Sequence, residues 1–191
     1  EIVKNTRDNT NHCWLASMHL NGLEKLGTFL TVDNTNHCIT SVAETIKGFG
    51  SDDIIFGSKS NYEICILFKN LDKSAVYSIL KNMNDAVRHC VFTDDFGEVI
   101  DISDRSSLSL SVGCCSYPEQ AYEFNMLVNY SEFALFEARN SRKKSVVNWF
   151  CEERYRREKT AYKKSQIFAK VIRENQLSYH FQPIVSAVSG D

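Results

Sequence analysis

Residues 54–68 read Ile54-Ile55-Phe56-Gly57-Ser58-Lys59-Ser60-Asn61-Tyr62-Glu63-Ile64-Cys65-Ile66-Leu67-Phe68. The apolar runs Ile54-Ile55-Phe56 and 62–68 flank a turn-like stretch, Gly57-Ser58-Lys59-Ser60-Asn61. Apolar, β-branched and aromatic runs broken by Gly, Ser and Asn predict two strands joined as a hairpin. A hairpin pairs antiparallel, so an all-parallel sheet is excluded at once.

Upstream, Cys13-Trp14-Leu15-Ala16-Ser17-Met18 has the length and composition of a buried strand. Between it and the hairpin, Ile39, Val42, Ala43 and Ile46 recur at helical spacing, with Asn36 near the N-cap and Gly48 as the stop. Downstream, Ala75, Val76, Ile79, Leu80, Met83 and Val87 mark a second amphipathic helix, capped by Asn70 or Asp72. Val91-Phe92-Thr93 and Val99-Ile100-Asp101-Ile102 flank Asp94-Asp95-Phe96-Gly97 as a small hairpin.

Ser107-Leu108-Ser109-Leu110-Ser111-Val112-Gly113 alternates strictly between polar and apolar, which predicts a strand with one buried face. A third long helix is expected over 118–138, with Pro118 in its first turn. Residues 145–150 read as a short final strand. The order β, α, β-β, α, β, α, β gives an α/β (α+β) sandwich: a central mixed, mainly antiparallel sheet flanked by helices. Residues 151–175 then form a charged C-terminal connector helix. An apolar stripe interrupts its charge at Tyr155, Tyr162, Ile167, Phe168, Val171 and Ile172. Residues 176–185 look extended.

The 191 residues suit one domain plus an appendage. Hydrophobic residues at 43% and charged residues at 24% exclude a disordered chain. Lys plus Arg number 22 and Asp plus Glu 24, a net charge of -2 that argues against a nucleic-acid partner. No apolar run approaches the ~20 residues of a membrane helix, and the polar residues 1–10 do not make a signal peptide. The absence of an initial methionine is read as the mark of a piece of a longer protein. The seven cysteines are odd in number and none are paired as C-x-x-C; the five histidines lack ligand spacing. Reduced thiols in a cytoplasmic protein, with no zinc site, are expected. Asp-Asn-Thr-Asn-His-Cys occurs at 8–13 and again at 33–38 without extension, so the chain is not a solenoid.

Certain segments carry a family resemblance. Tyr179-His180-Phe181-Gln182-Pro183-Ile184-Val185, closed by Ser189-Gly190-Asp191, resembles the opening strand of an EAL phosphodiesterase domain. Leu108-Ser109-Leu110-Ser111-Val112-Gly113 is similar to the "TVSIG" strand of GGDEF domains. Ser131-Glu132-Phe133-Ala134-Leu135-Phe136-Glu137-Ala138-Arg139 resembles their "AD-x-ALY-x-AK" helix, and Arg142-Lys143-Lys144-Ser145-Val146-Val147 stands where they have "GRN" and a last strand. The resemblance spans essentially the whole chain. It implies a nucleotidyl-cyclase palm-like domain at 1–150, a connector at 151–175 and the first EAL strand at 176–191.

The same resemblance implies that the catalytic positions are replaced. Diguanylate cyclases hold divalent ions with carboxylates, one set of them in the hairpin turn, to bridge the triphosphate and activate a 3′-hydroxyl. Ser58-Lys59-Ser60-Asn61-Tyr62 occupies that turn, with neutral Ser60 and Asn61 at the positions of Asp and Glu. With 14–18 as the first strand, the metal-binding Asp position falls near His19 and its neighbour near Asn21, and hard cations prefer oxygen to imidazole. A nearly ungapped extension puts Gly27 and Asn36 at the guanine-reading positions. A second alignment instead reads Phe29-Leu30-Thr31-Val32 as the strand and Asp33 as the metal ligand. The Arg-x-x-Asp of the inhibitory product site becomes Phe49-Gly50-Ser51-Asp52, which keeps only Asp52. Arg139 and Lys143 match the cations beside the nucleotide phosphates, and both also suit a helix C-terminus. On the EAL side, Gln182 would face the cyclic dinucleotide in the longer protein.

The expected function is that of a catalytically inactive GGDEF domain, a regulatory and signal-transmitting module of a bacterial GGDEF-EAL cyclic-di-GMP signalling protein. Its partner is the downstream EAL domain of the same protein. It would act in the cytoplasm, including as the cytoplasmic part of a membrane-anchored sensor. No cofactor or metal is expected; magnesium enters only with GTP, if nucleotide binding survives. Ligands in question are GTP and cyclic-di-GMP; nucleic acid and membrane contact are not expected. The alternatives are an active or weakly active diguanylate cyclase, and a ligand-free dimerisation or docking domain.

Overall fold

The hairpin forms one edge of a five-stranded sheet in a computed structural model that describes residues 12–28, 30–93, 96–100, 108–141 and 147–176. Its strands are β1 (Cys13–Asn21), β2 (Ile54–Ser60), β3 (Glu63–Lys69), β4 (Ser109–Tyr117) and β5 (Val147–Trp149), in the order β2-β3-β1-β4-β5. Only β4 and β5 run parallel; the other three pairings are antiparallel. The helices are α1 (Leu23–Leu26), α2 (Val32–Lys47), α3 (Lys73–Arg88), α4 (Phe124–Asn140) and α5 (Glu152–Arg173). Residues through Cys151 form one compact unit, and those from Glu152 a second.

β1 lies at the centre of the sheet, and its alternation sorts its two faces. Trp14, Ala16, Met18 and Leu20 join the main core with Val42 and Ile46 of α2 and Val76, Leu80 and Met83 of α3. The opposite face meets α4. There Gly113 of β4 touches the helix backbone: a Cβ at this position would lie 2.0 Å from the Leu135 nitrogen and 2.3 Å from the Ser131 oxygen. Glycine is therefore what allows α4 to seat on the sheet.

Several sequence expectations are corrected. β1 extends past Met18 to Asn21, because the ladders to β3 and β4 continue through His19↔Glu63 and Asn21↔Ser109. The turn expected over 57–61 shrinks to Asn61 and Tyr62: β2 continues to Ser60, with a register shift between Ser58 and Ser60. β4 begins at Ser109 and ends at Tyr117, and Leu110 through Ser116 are all buried, so α4 covers the face expected to be wet. The third helix starts at Phe124, not Pro118. The Gln120 side chain accepts the Ser116 N–H at 3.0 Å and donates to the Phe150 carbonyl at 3.0 Å, which pins residues 118–120 as a turn.

The expected helix at 39–46 begins earlier, at Val32, and its N-cap is Thr31, whose hydroxyl accepts the Asn34 N–H; Asn36 lies inside. This start also removes the second alignment, since Val32 and Asp33 form a first helical turn, not a strand end. Gly48 is the C-cap as expected. Asp72, not Asn70, caps α3 by accepting the Ala75 N–H at 2.7 Å. The small hairpin reduces to a Thr93↔Val99 bridge with the Ile100 N–H on the Phe92 carbonyl at 2.9 Å. Residues 94–95 and 101–102 of that expectation lie outside the described residues, as do 145–146 of the last strand and 177–191 of the extended tail.

All seven cysteines are free thiols. Burial pushes the Cys13 thiol up to about 11 and the Cys115 thiol up to about 12, so neither is an ionised nucleophile near neutral pH. α5, taken by itself, has no buried residue; Arg156 pairs with Glu152 one turn away, and Tyr162, Ile167, Phe168 and Ile172 are exposed. Among the described residues no helix is long and apolar enough to cross a membrane.

Candidate functional site

Two adjoining regions gather the positions singled out by sequence. The first lies on the α4 side of the sheet, where β1 ends. Ser17, buried in β1, hydrogen-bonds the Ser131 hydroxyl at 2.9 Å and donates to Glu132 Oε1 at 3.4 Å. Lys59 of the hairpin donates to the same Glu132 oxygen at 2.8 Å and lies 3.4 Å from Glu63 Oε2. The hydrogen bond to Glu132 raises the Lys59 pKa, keeping it a cation. One ammonium thus bridges a carboxylate from α4 and another from β3.

His19 stands beside this network. The residue is 5% exposed, its Nδ1 is buried without a hydrogen-bond partner, and its Nε2 lies 3.8 Å from Glu24 of α1. Burial lowers the imidazole pKa and the positive charge of Arg139 lowers it further, against the opposing pull of Glu24 and Glu63. His19 is therefore neutral at pH 7. Asn21, two residues on, donates from Nδ2 to the hydroxyls of Ser109 at 3.1 Å and Ser111 at 2.9 Å. Arg139, exposed in the last turn of α4, is close enough for its charge to reach His19.

The second region is a cavity of 270 Å³ between α2 and the hairpin on the opposite side of the sheet. Leu20, Ile39, Ala43, Ile46, Phe56 and Ile64 supply its apolar lining. Ser60 and Asn61 belong to this cavity, with Lys47 and Ser58. Glu63 links the two regions, since it is the register partner of both His19 and Ser60. The structure thus brings strand end and hairpin together but turns their side chains to different surroundings. Gly27 is the C-cap of α1, and Asn36 is exposed on α2; neither lines the cavity. Asp52 is exposed in the bend before β2. Lys143 and Gln182 lie outside the described residues.

Three solved structures align with most of this chain. The GGDEF domain of TpbB (YfiN) from Pseudomonas aeruginosa gives a TM-score of 0.66 at 15% identity, covering 78% of this chain and 83% of that one. The GGDEF domain of DgcB from Caulobacter crescentus, solved in complex with c-di-GMP, gives 0.65 at 12% identity over 77% and 82%. An EAL/GGDEF domain protein from M. capsulatus gives 0.60 at 17% identity over 76% and 88%. The chain has the GGDEF-domain fold. No protein-family model and no curated protein matches the sequence.

The GGDEF fold raises the question of whether a divalent cation fits here. It does not fit the donors present. No group of three or more His, Cys, Asp or Glu able to hold a metal occurs among the described residues. Asn21 is committed to two serine hydroxyls, and Ser60 Oγ accepts the Tyr62 N–H at 3.3 Å. Of the nearby carboxylates, Glu63 and Glu132 already share the Lys59 ammonium, and Glu24 lies 3.8 Å from His19 Nε2. Hard divalent cations need several anionic oxygens at one point, and this arrangement supplies an internal cation instead.

The Lys59–Glu132 bridge is what sequence reasoning missed. Lys59 and Glu63 sit four apart across the turn, a spacing that could have suggested a pair. Glu132 lies 73 positions beyond Lys59, and nothing local signals that contact.

Proposed function

We propose that this chain is a catalytically silent GGDEF-fold module that regulates a larger cyclic-di-GMP signalling protein in the cytoplasm. The observation that carries this reading is the Lys59 bridge. It engages both carboxylates beside the hairpin and offsets one of their two charges, while Ser60 and Asn61 leave the turn without an anion. Phosphoryl transfer to a 3′-hydroxyl relies on metal ions that spread the developing charge, and no group of three or more His, Cys, Asp or Glu among the described residues would recruit them. His19, neutral and enclosed, adds no ligand of the required kind.

In this reading Arg139 and Lys143 are all that is left of a phosphate-binding edge, and magnesium would enter only in the company of GTP. Gly27, Asn36 and Asp52 are former guanine-reading and product-site positions. The helix α5 is the connector, and 176–191 is the start of a partner EAL domain in the same protein, where Gln182 by resemblance would sit near its cyclic dinucleotide. The M. capsulatus protein, which combines EAL and GGDEF names, supports such a pairing by its fold likeness. Titrating the chain with Mn²⁺, with and without GTP, and following water-proton relaxation tests the reading. Only weak, non-saturating enhancement is expected. A stoichiometric Mn²⁺ site at micromolar metal would contradict it.

A further inference from the structure

We propose that the cavity between α2 and the β2–β3 hairpin binds a compact carboxylate with an aromatic or branched aliphatic body. This deepens the regulatory reading above, on which it rests, by giving the silent module a ligand of its own. The cavity takes in Ser60 and Asn61, the turn positions that the GGDEF resemblance assigns to carboxylates, but neither Gly27 nor Asn36, which it assigns to guanine.

Its chemistry points to a small amphipathic anion. Ile39, Phe56 and Ile64 pack against the core yet are not fully covered, and each presents apolar surface to the cavity. At 270 Å³ it is just below the ~300–1,000 Å³ typical of drug-sized ligands, so its ligand is compact. The polar part of the lining is one-sided in character. Lys47, Ser58, Ser60 and Asn61 offer an ammonium, two hydroxyls and an amide, with no carboxylate among the lining residues. Lys47 lies in the last turn of α2, opposite the hairpin residues Ser58 and Ser60. A carboxylate head would take charge-assisted hydrogen bonds from such donors. The Watson–Crick edge of guanine presents N–H donors to its reader and would find no anionic acceptor here.

The probes are phenylacetate and isovalerate, with phenylethanol as the uncharged counterpart, titrated into the isotope-labelled full chain and read by amide chemical shifts. Saturable shifts at Ile39, Ala43, Lys47 and Ser58 are expected for a carboxylate, about tenfold tighter than for the alcohol. Ala43→Trp fills the cavity from the helix side and removes these shifts. Ser58→Trp does so from the exposed strand, and serves if the first variant fails to fold. Lys47→Gln brings carboxylate and alcohol to within about twofold of each other. Absent cavity shifts with both carboxylates would overturn the proposal. So would shifts unchanged in a folded tryptophan variant, or GTP with Mg²⁺ engaging the same residues more tightly. Cyclic-di-GMP formation from GTP would sink the silent-module reading while leaving the cavity shifts in place. Lost cavity shifts without turnover would sink the cavity assignment alone.

Discussion

At His19 the central strand, α1 and the field of Arg139 meet around one imidazole. Its Nδ1 is buried with no hydrogen-bond partner, so protonation would add an unsolvated charge and gain little in return. A base whose folded pKa is depressed binds its proton more readily when unfolded. Stability is therefore present above the ordinary value of 6.5 and lost as pH falls through it toward the lower folded value. Urea unfolding midpoints should drop more for the native chain than for His19→Gln between about pH 7 and about pH 5. Equal drops would remove His19 from the pH response. Gly113 offers a second residue-scale test. Gly113→Ala places a methyl on the Leu135 and Ser131 backbone and should cost about 3 kcal/mol or more in urea unfolding; a loss below about 1 kcal/mol would show that α4 moves away freely. The repeated hexapeptide shows why single residues mislead. His37 and Cys38 of the second copy lie in α2, whereas His12 and Cys13 of the first lead into β1. At Cys13 and Cys38 identical residues lie in different elements.

At the scale of elements, caps decide where helices begin. Asp72→Ala removes the acceptor for the Ala75 N–H and should destabilise by about 1 kcal/mol in the same assay. Asn70→Ala, at a left-handed position with φ 55, tests the other candidate and should leave α3 capped. The elements most legible in the sequence were those with a strong period: α3, α2 from Ile39 onward, and the hairpin strands. Their limits were less so. The start of α2 was hidden because Asp33-Asn34-Thr35-Asn36 reads as a polar turn, yet forms the first helical stretch behind Thr31, with Asn34 and Thr35 half-buried. The wet face expected of β4 was hidden because Ser109 and Ser111 look solvated. They instead receive hydrogen bonds from Asn21 beneath α4. The first turn assigned to Pro118 failed for a nonlocal reason, the contact of Gln120 with Phe150, thirty residues away.

Across the whole molecule, the mixed, mainly antiparallel character of the sheet was legible from the hairpin, whereas the order β2-β3-β1-β4-β5 was not; solved GGDEF domains match this chain in fold. That Ser60 and Asn61 are not carboxylates is plain in the sequence; that they stand at replaced catalytic positions belongs to the proposed reading. The internal cation was not legible, since it joins the hairpin to α4 across 73 positions. That bridge is the physical centre of the silent-module reading, and turnover addresses it most directly. The full chain at high concentration is incubated with GTP and Mg²⁺ or Mn²⁺, and the products are separated by chromatography. Silence predicts unchanged GTP and no cyclic-di-GMP after prolonged incubation with either metal. A cyclic-di-GMP peak that grows with time and with protein concentration would contradict it.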